Sequence, residues 1–301
     1  MSDGTVLVTG ATGNQGGTVA RALLAAGRPI RALTRSPDTP AAAALADAGA
    51  EVVQGDLDDR ASLDRALDGV TAVFSVQNVW EHGDEAEVRQ GKALADAAAE
   101  HGVAHFVYSS VGGAERDSGV PHFESKWQIE QHIRGLGLPA TILRPVFLME
   151  NFRQPQYRAA LNGVFPIALD PDKPVQMIAC EDVGRFAALA FEQPDEWIGR
   201  ELEIAGEERT PPQMADAFSA VLGQPVRHVR PPMEMLRNVN PEVAHMYEWY
   251  DARGFEADMD EVSRLLPERM SLEGWLRSTR WAEQAREAPV AGPPGQVGSD
   301  A

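Results

Sequence analysis

A doubly wound α/β fold, one parallel sheet with helices on both faces, follows from two features of the chain. Strand-like and helix-like stretches alternate strictly from Thr5 to Arg144, and parallel strands need crossover helices of this kind. The apolar run Val6-Leu7-Val8 leads directly into GATGNQGG, where Gly10, Gly13 and Gly16 are spaced as a tight turn opening a helix. Such glycines let backbone N–H groups and the positive end of a helix dipole approach a diphosphate, where a Cβ would block the turn or the contact. Together the two features predict a Rossmann-type sheet that binds a dinucleotide.

The elements follow in order. Thr5–Val8 reads as the first strand and Thr18–Ala26 as a helix stopped by Gly27. Ile30–Thr34, Glu51–Gln54, Ala72–Val76, His105–Ser109 and Thr141–Arg144 read as further strands. Between them Ala41–Ala48, Ala61–Leu67, Asp84–Glu100 and Glu124–Arg134 read as helices, the first two closed by Gly49 and Gly69. After Pro145 the rhythm breaks, and Pro and loop residues fill Pro155–Pro174. Val175–Ile178 then reads as a strand and Val183–Phe191 as a helix, a pair expected to return to the first domain. Glu201–Ile204 reads as a short strand, Pro212–Leu222 as a helix and Pro232–Trp281 as mostly helical. Its aromatics Tyr247, Trp249, Tyr250 and Phe255 fit a core better than a pocket. The expected division is a nucleotide-binding domain over 1–150, with 174–192 returning to it, and a smaller, mostly helical C-terminal domain over 151–287. The Gly/Pro-rich tail 288–301 is expected to be disordered.

With 301 residues, 44% of them hydrophobic, the chain can bury a full core without staples. A formal charge of −18 repels phosphate backbones and argues against direct nucleic-acid binding. No apolar run reaches the ~20 residues of a membrane span, and the start of the chain has no signal-peptide pattern. Cys180, the sole cysteine, cannot form an intrachain disulfide. A cytoplasmic protein is expected. The seven histidines show no spacing of the HxxxH kind, so no metal is expected.

A NAD-binding unit usually ends its second strand with an acid that accepts hydrogen bonds from the ribose hydroxyls. Here that strand ends Leu33-Thr34-Arg35-Ser36, and a guanidinium cannot accept those bonds but can pair with a 2′-phosphate. Arg35 follows Gly16 at about the spacing of the ribose contact. NADP(H) is therefore the preferred cofactor; NAD(H) stays admitted because no second cation follows Arg35, only Asp38. Asp56 and Leu57, after the third strand, offer a carboxylate to the adenine amino group and a side chain to cover the ring. The same acidic run can start a helix, and the two roles are compatible.

In combination, GATGNQGG, Thr34-Arg35, EVVQGDLDD (Glu51–Asp59), VQNVWE (Val76–Glu81), HFESK (His122–Lys126), ENF (Glu150–Phe152) and MSLEGWL (Met270–Leu276) resemble the NmrA-like family. This is an atypical branch of the short-chain dehydrogenase/reductase superfamily, and the match spans about residues 4–281. The resemblance implies an NADP(H)-preferring Rossmann domain, a smaller C-terminal domain and a cleft between them. It places the diphosphate on Gly10, Thr12, Gly13, Asn14, Gln15 and Gly16, the 2′-phosphate on Arg35, and adenine on Asp56 and Leu57. It places Val76 and Gln77 on the ribose side, Lys126 on the nicotinamide ribose, and Phe147, Leu148, Glu150 and Asn151 along the nicotinamide.

Ordinary members of that superfamily reduce carbonyls with a Tyr four residues before a Lys, the Lys lowering the phenol pKa. None of the four tyrosines fits: Tyr108, Tyr157, Tyr247 and Tyr250 are followed at that spacing by Gly112, Leu161, Asp251 and Gly254. His122 takes the Tyr place, one helical turn before Lys126. Lys126 is one of only three lysines, with Lys92 and Lys173, and is read as a cofactor ligand. His122 is read either as a proton donor or as a helix-start residue without a proton role. Ser109 and Ser110 stand where the superfamily keeps a substrate-orienting serine. Two functions follow: a cofactor-sensing regulator reporting redox state to a protein partner, or an NADPH-dependent reductase delivering hydride to a small-molecule acceptor, a quinone, enone, imine or carbonyl, without the usual Tyr.

Overall fold

The structure, a computed structural model, describes residues 4–287; the expected tail at 288–301 lies outside them. Two compact units are present. One comprises the chain up to Pro145 with Cys180–Ile204, the other Val146–Ala179 with the chain from Ala205 onward.

In the first unit, strands β1 (Thr5–Val8), β2 (Ile30–Thr34), β3 (Glu51–Gln54), β4 (Val70–Ser75), β5 (His105–Ser109) and β6 (Ala140–Pro145) alternate with helices. The helices are α1 (Asn14–Ala25), α2 (Pro40–Asp47), α3 (Arg60–Leu67), α4 (Val79–His82), α5 (Asp84–Glu100) and α6 (Pro121–Gly135). After the excursion through β7 (Phe147–Leu148), β8 (Val164–Pro166) and β9 (Val175–Ile178), the chain re-enters this unit with α7 (Cys180–Glu192) and β10 (Glu201–Ile204). The seven strands lie in the order β3-β2-β1-β4-β5-β6-β10, all parallel. This is the doubly wound Rossmann-type sheet that the alternation predicts.

Side chains alternate across each strand. Leu7, Leu33, Val73, Phe106, Tyr108 and Ile142 join Leu63, Leu67, Leu94, Ile129 and Ile133 from α3, α5 and α6 in one buried cluster. The intervening Val6, Val8 and Val107, equally buried, face the opposite side, where α1 packs on α7. That contact is a backbone-to-backbone approach: a Cβ added at Gly184 of α7 would lie 2.7 Å from the Thr18 carbonyl oxygen of α1. Thr18 Oγ1 also donates to the Cys180 carbonyl at 2.7 Å.

Several boundaries depart from the expectation. Helix α1 begins at Asn14 rather than Thr18, so Gly16 and Gly17 lie inside its first turn. The short helix α4, capped by Asn78, has no counterpart in the sequence reading. Helix α7 belongs to the first unit, whereas β9 pairs with β7 and with Glu207–Arg209 in a three-stranded sheet of the second unit. The stretch read as loop contains a 3-10 helix at Pro155–Asn162 and the strand β8. Beyond β10 the second unit is mainly helical, with helices at Pro211–Leu222, Met233–Val239, Pro241–Ala252, Met259–Leu265, Leu272–Ser278 and Trp281–Glu287. Tyr247, Trp249 and Tyr250 are buried there; the Tyr250 ring meets Tyr247, Trp249 and Phe255, and Trp249 also meets Phe255. They form core. Among the described residues no helix is long and apolar enough to cross a membrane.

The side of the sheet facing α7 carries a buried histidine. His105 lies edge-on to Phe191 at 5.3 Å, with Nε2 2.8 Å from Thr141 Oγ1. That hydroxyl donates to the Trp197 carbonyl, so it accepts from Nε2–H, and Nδ1 has no partner among the described residues. Burial, with Arg28 adding to it, pushes the imidazole pKa down to about 4 from 6.5. The unfolded chain therefore binds a proton below about pH 6.5 that the folded chain refuses. Stability is expected to fall as pH drops from 6.5 towards 4, by at most about 3 kcal/mol from this residue. Urea titrations across that range should show a shallower acid slope in His105→Gln; equal slopes would remove His105 as the cause.

Candidate dinucleotide site

The strand order reverses between β1 and β4: the chain leaves β1 toward β2 and leaves β4 toward β5. In such sheets the crevice at the carboxyl ends of these two strands accepts the ligand. Thr9 staples that point. Its N–H donates to the Phe74 carbonyl, and its hydroxyl accepts from Val76 N–H at 2.9 Å and lies 3.1 Å from the Val76 carbonyl. Gly10 follows with φ +58°, and a Cβ there would meet the Val76 methyl at 2.8 Å. Gly16 is closed off more severely, since its Cβ would lie 2.3 Å from the Gly10 carbonyl oxygen. Gly13 is the N-cap of α1, extended and without a capping side chain, and no acid occupies the first turn. The positive end of the twelve-residue helix α1 is thus left for an outside anion. Thr12 and Asn14 are exposed, and Gln15 is half-buried. The Gln15 side-chain carbonyl accepts from Ser109 Oγ at 2.6 Å, tying the end of β5 to this turn. Buried Gln77 donates to Ser75 Oγ, while its Oε1 has no partner among the described residues.

Arg35 emerges from the end of β2, half-exposed, with its guanidinium paired to Glu81 and Nη1 3.1 Å from His82 Nε2. Both partners come from α4. The Gly55–Asp59 loop is fixed from within: Ser62 Oγ accepts from Asp56 N–H, and Asp56 Oδ1 accepts from Asp58 N–H at 3.0 Å. Asp58 in turn takes Arg89 and Gln90, whose hydrogen bonds hold its carboxyl below the usual range. Leu57 packs against the core cluster but stays half-exposed.

Lys126 lies on α6 with its ammonium 2.8 Å from Glu87 Oε1. The Glu87 side chain is fully buried on α5, and its second oxygen accepts from Ser125 Oγ. His122, on the same helix and buried, has the Trp80 ring 5.2 Å away and Phe123 edge-on at 4.9 Å. Ser110 does not join this group; it donates to Glu130, a buried carboxylate that also takes Arg134 and Arg144. Glu87 and His82 have no role in the sequence reading, and Trp80 and Glu81 enter it only through VQNVWE, without a role of their own. For Glu87 a signal existed: Glu87, Gln90, Gly91, Leu94 and Ala98 recur at helical spacing, and all five are buried.

Phe147, Leu148, Glu150 and Asn151 belong to the second unit. Phe147 is buried against Phe152, and Glu150 accepts from Trp275 Nε1 at 3.0 Å. Trp281 Nε1 donates to the Phe152 carbonyl at 2.8 Å, so ENF is bound to the helices at the end of the described chain. No tyrosine is poised as a proton donor. Burial pushes the phenols of Tyr108, Tyr157, Tyr247 and Tyr250 upward, and Tyr157 and Tyr247 bond each other at 2.9 Å. Among the described residues no three His, Cys, Asp or Glu side chains converge as metal ligands would.

The sequence model of the NmrA-like family matches residues 2–276. The chain belongs to the NmrA-like family. A related (4-alkanoyl-5-oxo-2,5-dihydrofuran-3-yl)methyl phosphate reductase of Streptomyces griseus is 38% identical over 226 residues, 74% of this chain and 75% of the relative. Among solved structures, the negative transcriptional regulator NmrA in complex with NADP superposes with a TM-score of 0.79 at 25% identity, covering 96% of this chain and 99% of that one. The NADPH-dependent quinone oxidoreductase of Escherichia coli, complexed with NADPH, superposes with a TM-score of 0.77 at 26% identity, covering 92% and 99%. The NmrA-like family thus spans NAD(P)-binding reductases and a regulator.

In this NmrA-like chain the Lys126 ammonium is the charged partner of the buried Glu87 carboxylate. Lys126→Met should leave a buried carboxylate with Ser125 alone and lower stability by about 3 kcal/mol. Adding Glu87→Gln should recover most of that loss in urea titrations. Cofactor affinity, measured by calorimetry, should stay weakened in the double variant; full recovery of both would make Lys126 a purely structural residue.

Proposed function

We propose that the chain binds NADP(H) on its first unit and acts as an NADPH-dependent reductase of conjugated acceptors, quinones or enones. The observation that carries the nucleotide reading is the uncapped, acid-free N-terminus of α1 at the sheet's switch point, with Arg35 at the end of the neighbouring β2. The residues fit the group: Gly10 and Gly16 leave no room for a Cβ where the turn must close, and Gln77 Oε1 is a buried acceptor lacking a donor. Gly10, Thr12, Gly13, Asn14, Gln15 and Gly16 would receive the diphosphate, Arg35 the 2′-phosphate, Asp56 and Leu57 the adenine, and Val76, Gln77 and Lys126 the riboses.

Bound NADPH supplies a hydride. Lys126, held by Glu87, offers its remaining N–H donors to ribose hydroxyls. His122 is the one imidazole a helical turn away that could deliver a proton to a product oxygen. With all four phenols buried and pushed upward, a simple alkoxide would lack the usual donor. Conjugated acceptors, which spread the incoming charge, suit this site better. The reductase of 38% identity supports the same reading. A second reading, a cofactor-sensing regulator with a protein partner, is favoured by that missing phenol and by the fold shared with the NADP-bound regulator.

Gly13→Val should abolish NADPH binding with the fold retained, because the branched side chain enters phosphate space. Arg35→Glu should cost NADPH on the order of 1.5–3 kcal/mol while NADH changes little. Calorimetric titration checks both, and wild-type affinity in Gly13→Val would exclude this turn.

Purified protein should consume NADPH with at least one member of a quinone and enone panel. If His122 is the acid, His122→Phe should lower turnover by roughly 10²–10⁴-fold with NADPH affinity nearly unchanged. Tight NADPH binding without turnover on any acceptor would replace the reductase reading by the regulator.

A further inference from the structure

NAD-selective units place their acid at the end of the second strand. This chain has Arg35 there, and the fold brings an acid to the same place from elsewhere: Glu81, on α4 after β4, pairs with Arg35 Nη2. His82 Nε2 lies 3.1 Å from Nη1. Since an arginine N–H only donates, His82 accepts here, so both outer nitrogens of the guanidinium are already engaged by α4. Gln54 Nε2 fixes the base of the residue by donating to the Arg35 carbonyl at 3.2 Å. The Arg35 and Glu81 side chains are 49% and 36% exposed, so their pairing is screened by water and contributes little to folding. An exposed pair of this kind opens readily for a stronger anion.

We propose that Glu81 sets the cofactor preference: its carboxylate occupies Arg35 in place of a 2′-phosphate, lowering NADP(H) affinity, and supplies the acidic acceptor that the ribose hydroxyls of NAD(H) require. The inference rests on the reading of Arg35 as the 2′-phosphate ligand. A 2′-phosphate must displace the carboxylate and then remain beside it, two anions sharing one cation. A ribose with a free 2′-hydroxyl meets no such repulsion and can donate to Glu81. Arg35 and Glu81 together would make the site accept both nucleotides, with the balance held by α4 rather than by the second strand.

The test is calorimetric titration of the full chain with NADPH and with NADH, for the wild type, Glu81→Gln and Arg35→Gln, with circular dichroism to establish equal folding. Glu81→Gln should tighten NADPH on the order of tenfold and weaken NADH, while Arg35→Gln should weaken NADPH. If Arg35→Gln weakens NADPH but Glu81→Gln leaves the ratio of the two affinities unchanged, the proposal for Glu81 fails alone. Weaker NADPH binding in Glu81→Gln also overturns it, since the carboxylate would then be positioning Arg35 rather than competing for it. If Arg35→Gln leaves NADPH affinity untouched, the 2′-phosphate reading of Arg35 fails and the role of Glu81 falls with it.

Discussion

The switch-point edge of the first unit depends on how closely α1 can settle onto the end of β1. At Gly16 a side chain would collide with the Gly10 and Thr9 carbonyls, which belong to backbone already tied to β4 through Thr9. Nothing flexible can yield there. On the far side of α1 the same demand is met at Gly184, where α7 presses on the Thr18 backbone. The helix is clamped between two backbone contacts, so its first-turn amides point in one direction before any ligand arrives. Such preorganisation is what lets weak backbone donors hold a diphosphate.

Two buried carboxylates show how similar chemistry can serve different ends. Glu130 is surrounded by Ser110, Arg134 and Arg144, and Arg144 reaches on to Glu201 of β10. These partners hold the end of β5, β6, β10 and α6 together. Among the described residues Glu87 has only Ser125 and the Lys126 ammonium. An ammonium with three donors and one of them used by Glu87 can still bind something else, whereas the network at Glu130 is closed. Burying the Glu87 charge is costly unless its partner stays in place, so Lys126 is held in one position. In the proposed cofactor role, a ribose hydroxyl would meet a donor whose freedom has already been lost.

The strands of the large sheet and the long α5 were legible because strictly alternating apolar runs and glycine stops act locally. The start of α1 was misread because Gly16 and Gly17 look like turn residues; their role is close packing within a helix, which only a neighbouring backbone makes necessary. The sheet that β9 joins is not legible in the sequence because its partners, β7 and Glu207–Arg209, are too short to register as strands. The four-residue α4 shows no periodicity at all. It is nonetheless the segment that carries Trp80 to His122 and Glu81 to Arg35, contacts spanning 42 and 46 residues of sequence. Along the chain no second cation follows Arg35, only Asp38, and the charged group that pairs with it is an anion, Glu81. The group that attends it comes across the sheet.

The arrangement of charge also bears on which chemistry the first unit can support. Tyr108 lies on β5, facing the cluster that contains α5 and α6, and burial together with Glu87 and Glu130 raises its phenol well above the ordinary value. A phenol serves as a proton donor near neutrality when a cation beside it lowers its pKa. Here the nearest charges acting on Tyr108 are both anionic, so the effect runs the opposite way. The lysine that would do the lowering is on α6, committed to Glu87, with a histidine rather than a tyrosine one turn before it. Any proton delivered from this helix must come from imidazole or ammonium. Under the proposed reductase reading this favours acceptors whose reduced form is stabilised by its own conjugation, and the electrostatics around Lys126 would separate such a site from one with the usual Tyr–Lys pair.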